Sequence, residues 1–84
     1  MENIEIKNIL MNTLSIQKVY VTGNGKNFKI IAVDDKFSEM NRLTKQQFIY
    51  KPLMKYIANN SIHALIIKTY TTQEWYELKN PVDL

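Results

Sequence analysis

A chain of 84 residues with no cysteine, two glycines, two prolines and 45% hydrophobic residues has room for one core, residues 1–84, and no deep active-site chamber. No disulfide can staple it and no thiolate can serve as its nucleophile or metal ligand. Its formal net charge of +3 comes with ten Lys among eleven basic residues, an AT-rich compositional drift as much as a sign of an anionic partner.

The opening MENIEIKNIL carries acids where a secretory signal would carry a basic cluster, and no apolar run exceeds four residues, as at Ala64–Ile67. A bilayer span needs about twenty, so the chain reads as cytoplasmic with no membrane partner. From Asn3 to Leu14 the spacing of Ile6, Ile9, Leu10 and Leu14 predicts an amphipathic helix capped by Asn3, with Glu5 near its positive end. Lys18–Thr22 alternates polar and apolar residues and predicts a strand; Phe28–Val33 predicts a second. Between them Gly23–Asn27 holds both glycines, a hairpin loop.

Asp34–Asn41 reads as a connector with a short helical turn. A long helix is expected from Arg42 to Ala58, with Leu43, Ile49, Tyr50, Leu53, Met54 and Ile57 on its core arc and a kink at Pro52. Asn59-Asn60-Ser61 ends it. Ile62–Tyr70 predicts a third strand, and Thr71-Thr72-Gln73-Glu74 a capping box opening a helix anchored by Trp75 and Leu78. Asn80–Leu84 is expected to fray. The order α-β-β-α-α-β-α predicts an α+β two-layer sandwich, a three-stranded mixed sheet with helices on one face.

The functional candidates are few. With one His, no phosphate-binding glycine loop ahead of a helix and no converging carboxylates, the chain reads as a binding module and not an enzyme. His63 stands directly after a polar turn at the rim of the sheet, where an imidazole is reachable by a metal or a partner; the bland alternative is a half-exposed His bonded to nearby backbone. On the long helix, Lys45, Lys51 and Lys55 span an arc of roughly 120° with Phe48 at its middle, a surface that could stack on a nucleic-acid base or be an ordinary solvated face. Tyr70 and Trp75 are candidate contact aromatics, with Trp75 read first as a core anchor.

The run Ile62-His63-Ala64 through Lys68-Thr69-Tyr70-Thr71, followed by Glu74-Trp75, resembles the signature of BolA-like proteins. The Val21-Thr22-Gly23-Asn24-Gly25 loop, the connector Lys36–Met40 and the stretches Lys45-Gln46-Gln47 and Tyr50–Met54 are similar to its bacterial IbaG branch, so that the resemblance covers essentially the whole chain. It implies a fold like a type II KH domain and a monothiol glutaredoxin as partner. The two would share a 2Fe–2S cluster, in iron–sulfur trafficking or in sensing iron or stress. In the family the His matching His63 is a ligand, while the partner brings a cysteine and a glutathione thiolate. Such mixed ligation raises the potential and makes the bond sensitive to protonation. Lys26, Asn27, Lys68 and Tyr70 are the partner-binding residues the resemblance suggests, and homodimers that part on meeting the glutaredoxin are a further expectation. Where relatives carry a second His or Cys in the first hairpin, this chain has Asn27, a poor iron ligand. The rival reading, a KH-like nucleic-acid-binding regulator using Lys45, Phe48, Lys51 and Lys55, lacks the glycines of a Gly-x-x-Gly loop between Phe37 and Leu43.

Overall fold

The computed structural model describes residues 1–79; the expected fraying of Asn80–Leu84 lies outside the described residues. The expected order is observed. Helix α1 spans Asn3–Thr13, strands β1 and β2 span Lys18–Asn24 and Asn27–Val33, and a 3₁₀ turn covers Asp35–Glu39. Helix α2 spans Arg42–Tyr50, a second 3₁₀ turn Lys51–Leu53, and helix α3 Met54–Ala58; strand β3 (Ala64–Tyr70) and helix α4 (Thr72–Lys79) complete the order. Among the described residues no helix is long and apolar enough to cross a membrane.

β1 and β2 pair antiparallel from Lys18↔Val33 to Asn24↔Asn27, and β3 lies parallel to β2, giving a mixed sheet of order β1-β2-β3. Parallel neighbours cannot be joined by a tight turn, and the α2–α3 crossover supplies the long connection that β2 and β3 need. The core lies on one face, where Val19, Phe28, Ile30 and Ala32 from the sheet meet Ile6 and Leu10 of α1, Phe37, Ile49 and Leu53. Each fully buried side chain of this size removes enough apolar surface from water to contribute about 1.5–3 kcal/mol.

Several local expectations are corrected. Glu2, not Asn3, precedes the first helix, its N–H donating to Glu5 Oε1 at 2.8 Å, while the Asn3 side chain reaches the Gly23 carbonyl at 3.3 Å. The hairpin loop is tighter than five residues, because only Gly25 and Lys26 lie outside the two strands. The long helix is broken, not merely kinked. Pro52 lacks an N–H, and the chain tightens to 3₁₀ geometry over Lys51–Leu53. Three residues at about 120° each instead of 100° rotate helix α3 by roughly 60° about the axis. Met54 accordingly turns to solvent, 54% exposed; Leu43, at the other end, is 65% exposed.

Helix α4 departs from the single helical layer. Tyr20, Val33 and Tyr70 occupy the sheet face opposite the core, by strand parity and register. Trp75 stacks on Tyr20 (ring centroids 5.4 Å) and leans on Tyr70 (5.4 Å), so α4 covers one corner of that second face. Trp75 therefore anchors a satellite cluster instead of the main core, and Leu78, expected beside it as an anchor, is exposed.

Candidate functional site

The position of His63 is set by backbone on both sides. Helix α3 ends where Asn60 adopts φ 66°, a left-handed conformation that Asn tolerates, and the Asn59 side chain accepts from Ser61 N–H at 3.0 Å. Ile62 then plugs into the core, 1% exposed, its N–H donating to the Tyr56 carbonyl at 3.0 Å. This is why β3 starts two residues later than its sequence pattern suggests. His63 comes next, its N–H donating to the Lys26 carbonyl at 2.7 Å; Ala64 N–H donates to the same oxygen at 3.2 Å.

That carbonyl belongs to the two-residue hairpin turn. Gly25 has φ 60°, with ample space around it. A glycine in this first position followed by a residue of negative φ is what a type II′ turn uses. Gly23 is there for another reason: a Cβ on it would sit 2.2 Å from the Asn27 carbonyl oxygen and 2.8 Å from Phe28 Cα. The absent side chain lets β1 lie against the root of the turn, holding Lys26 and Asn27 beside His63.

The imidazole is exposed, and neither ring nitrogen has a partner among the described residues. The bland reading of a side chain bonded to backbone is therefore not observed; the backbone N–H, not the ring, makes the tie. Lys26 and Asn27 are exposed beside it. Among the described residues no group of three or more His, Cys, Asp or Glu could hold a metal ion. The site fits a cluster only as a shared one, with this chain supplying a single imidazole and the carboxamide of Asn27 adding no good donor.

Lys68 and Tyr70 do not join this site. They lie five and seven residues along the strand from His63, about 16 and 23 Å at the rise of an extended chain. The proposed nucleic-acid surface is not assembled either. Phe48 does not project among the lysines but is half-buried, edge-on to Phe37 with centroids 6.0 Å apart and Lys36 Nζ 5.7 Å above its ring. Lys45 borders a groove against β3, whereas Lys51 and Lys55 line a recess facing α1.

A family model described as BolA-like protein matches residues 3–74. The chain belongs to the BolA-like family. It is 56% identical over 75 residues to the acid stress protein IbaG of Escherichia coli K12, covering 89% of each chain. Among solved structures, a bolA homologue from Coxiella burnetii superposes with TM-score 0.76 at 29% identity, covering 89% of this chain and 96% of that one. Yeast Fra2 shares the fold, with TM-score 0.70 at 23% identity over 100% of this chain and 97% of its own.

Two parts of the BolA-like domain are not legible as sites in the sequence. One is the groove between α2 and β3, about 520 Å³, where Arg42 and Gln46 join Lys45 and Lys68. Nothing in the sequence marks Arg42 or Gln46 as a binding residue, and only the parallel crossover brings them to the strand. The other is the Asp35 carboxylate that fastens α4 from 37 residues away. The Thr72 hydroxyl, and then its backbone N–H, hold the Asp35 carboxyl below its ordinary range. Glu74 is lowered by the Thr71 N–H, which donates to Oε1 at 2.7 Å, within the capping box the sequence predicts.

Proposed function

We propose that this BolA-like domain catalyses no reaction and acts as partner to a monothiol glutaredoxin, sharing a 2Fe–2S cluster through the His63 imidazole. The observation that carries this reading is an exposed, unengaged imidazole whose own backbone is clamped to the hairpin turn. The backbone tie fixes where the ring is attached, and binding costs the ring no internal hydrogen bond. Lys26 and Asn27 line the approach, positioned to meet the partner's surface. The shared cluster would supply one-electron chemistry, or be cargo for delivery, with its thiolates from the partner and glutathione. His63 would contribute as the neutral imidazole. Similarity to a protein named for acid stress supports a role in stress.

The test is anaerobic co-purification with a monothiol glutaredoxin and glutathione, monitored by visible absorption and circular dichroism. His63→Ala is expected to leave the protein complex intact and to remove the bands of the mixed-ligand cluster. Asn27→His is expected to slow cluster loss by restoring a second imidazole. Bands of unchanged shape and lifetime in His63→Ala would overturn the proposal.

A further inference from the structure

β3 is an edge strand, and its backbone alternation can be read from its bonds on the inner side. Ala64 N–H donates to Lys26, and the Tyr70 carbonyl accepts from Asp34 N–H at 3.0 Å. In a parallel ladder the residues of one parity turn both backbone groups toward the neighbour. Ala64, Ile66, Lys68 and Tyr70 therefore face β2, and Leu65, Ile67 and Thr69 face outward. One observation confirms that parity: Gln46 Nε2, reaching from α2, donates to the Ile67 carbonyl at 3.3 Å. A side-chain amide stands where the N–H of a further strand would.

The groove along this edge is cationic. Arg42 and Lys45 border it from α2 and Lys68 from the sheet, with no acid among its lining residues. Glu74, the acid whose charge reaches Lys45, is held by Thr71. We propose that the groove between α2 and the outer edge of β3 receives an extended acidic segment of a protein partner, which adds to the sheet as a fourth strand. The site is separate from the cluster reading, because Ile67 lies about 13 Å along the strand from His63.

Peptide fits this edge better than nucleic acid. Leu65, Ile67 and Thr69 offer both N–H and C=O groups, and only another peptide backbone supplies acceptors and donors in that alternation. A phosphodiester would accept from the N–H groups but leave the carbonyls of Leu65 and Thr69 unmatched. The charges specify the side chains. Arg42 and Lys45 flank the core face and Lys68 projects from the other, so acids at adjacent positions of the added strand would meet both. Gln46 is exposed and its bond is long, which makes it easy to displace.

The experiment titrates the full isotopically labelled chain with a short blocked peptide of Val, Thr and Glu bearing acids at adjacent positions. Parallel titrations use the same peptide N-methylated at consecutive backbone nitrogens, which blocks both of its edges, and oligothymidylate. The expected result is slowed amide exchange at Leu65, Ile67 and Thr69 with unmethylated peptide, and no binding by the methylated one. Lys45→Glu with Lys68→Glu, both at the surface, should weaken binding about tenfold or more. Equal binding of the methylated peptide, protection at other amides, tighter binding of oligothymidylate, or no binding at millimolar peptide would each overturn the proposal. In the last case the lysines would serve only to guard an edge from aggregation.

Discussion

Replacing Gly23 with alanine tests whether the hairpin turn is what positions His63. The added Cβ would lie 2.2 Å from the Asn27 carbonyl oxygen, more than an ångström inside ordinary contact, and both nearest atoms are backbone. No rotamer can relieve that overlap. Gly23 also has φ 136°, a region that side chains rarely enter. Backbone strain of this kind costs about 1–3 kcal/mol, and the forced separation of β1 from β2 adds the end of a ladder, for a total of roughly 3 kcal/mol or more. Gly25 is the matched control. It has φ 60° but nothing within 4 Å of its Cβ, so Gly25→Ala should cost only the positive-φ backbone strain of about 1–3 kcal/mol, with no clash added. Urea unfolding of both variants measures the difference. Amide exchange at His63 and Ala64 reports the local effect, since both N–H groups bond to the Lys26 carbonyl. Equal destabilisation by the two substitutions, or full protection of the His63 amide in Gly23→Ala, would mean that the turn does not hold His63 in place.

Asp34, 7% exposed, accepts from Gln17 N–H at 3.0 Å and Lys36 N–H at 2.9 Å, so Asp34→Ala should lower stability by about 2–3 kcal/mol in urea titrations. His63→Ala, by contrast, removes a side chain bonded to nothing among the described residues and should stay within about 0.5 kcal/mol of the parent in the same assay. The carboxyls of Asp35 and Glu74 are depressed in the folded state, so the stability they confer is complete above their ordinary values and is lost as pH falls through the folded ones. Fluorescence of Trp75, the chain's single tryptophan, should therefore report loosening of α4 beginning below about pH 4.5, Glu74's ordinary value. Asp35→Asn with Glu74→Gln should flatten that response.

Much of the fold is encoded over short stretches and is legible there. Ile6 and Leu10 lie on the core face that their spacing predicts, and Thr71 and Glu74 exchange the two bonds of a capping box because one helical turn brings them together. The α2–α3 region escapes such reading, since one wheel drawn from Arg42 to Ala58 assumes a single core direction for two helices that a 3₁₀ turn sets apart; Leu43, Tyr50 and Met54 lie outward and Phe48 packs on Phe37. Size alone points Trp75 to the core, yet its true neighbours, Tyr20 and Tyr70, come from two different strands.

The order of residues is enough to define a small α+β domain of this family with one imidazole to offer. What stands beside that imidazole is a product of the folded chain. Lys26 and His63 are 37 positions apart, and their hydrogen bond exists because β3 returns parallel to β2 in one register, Asn27 opposite Ala64. The same register sends Lys68 and Tyr70 to the far end of the strand. Register of this kind is set by the summed burial of Phe28, Ile30 and Ile62 against helices distant in sequence, a balance that no local pattern of residues contains.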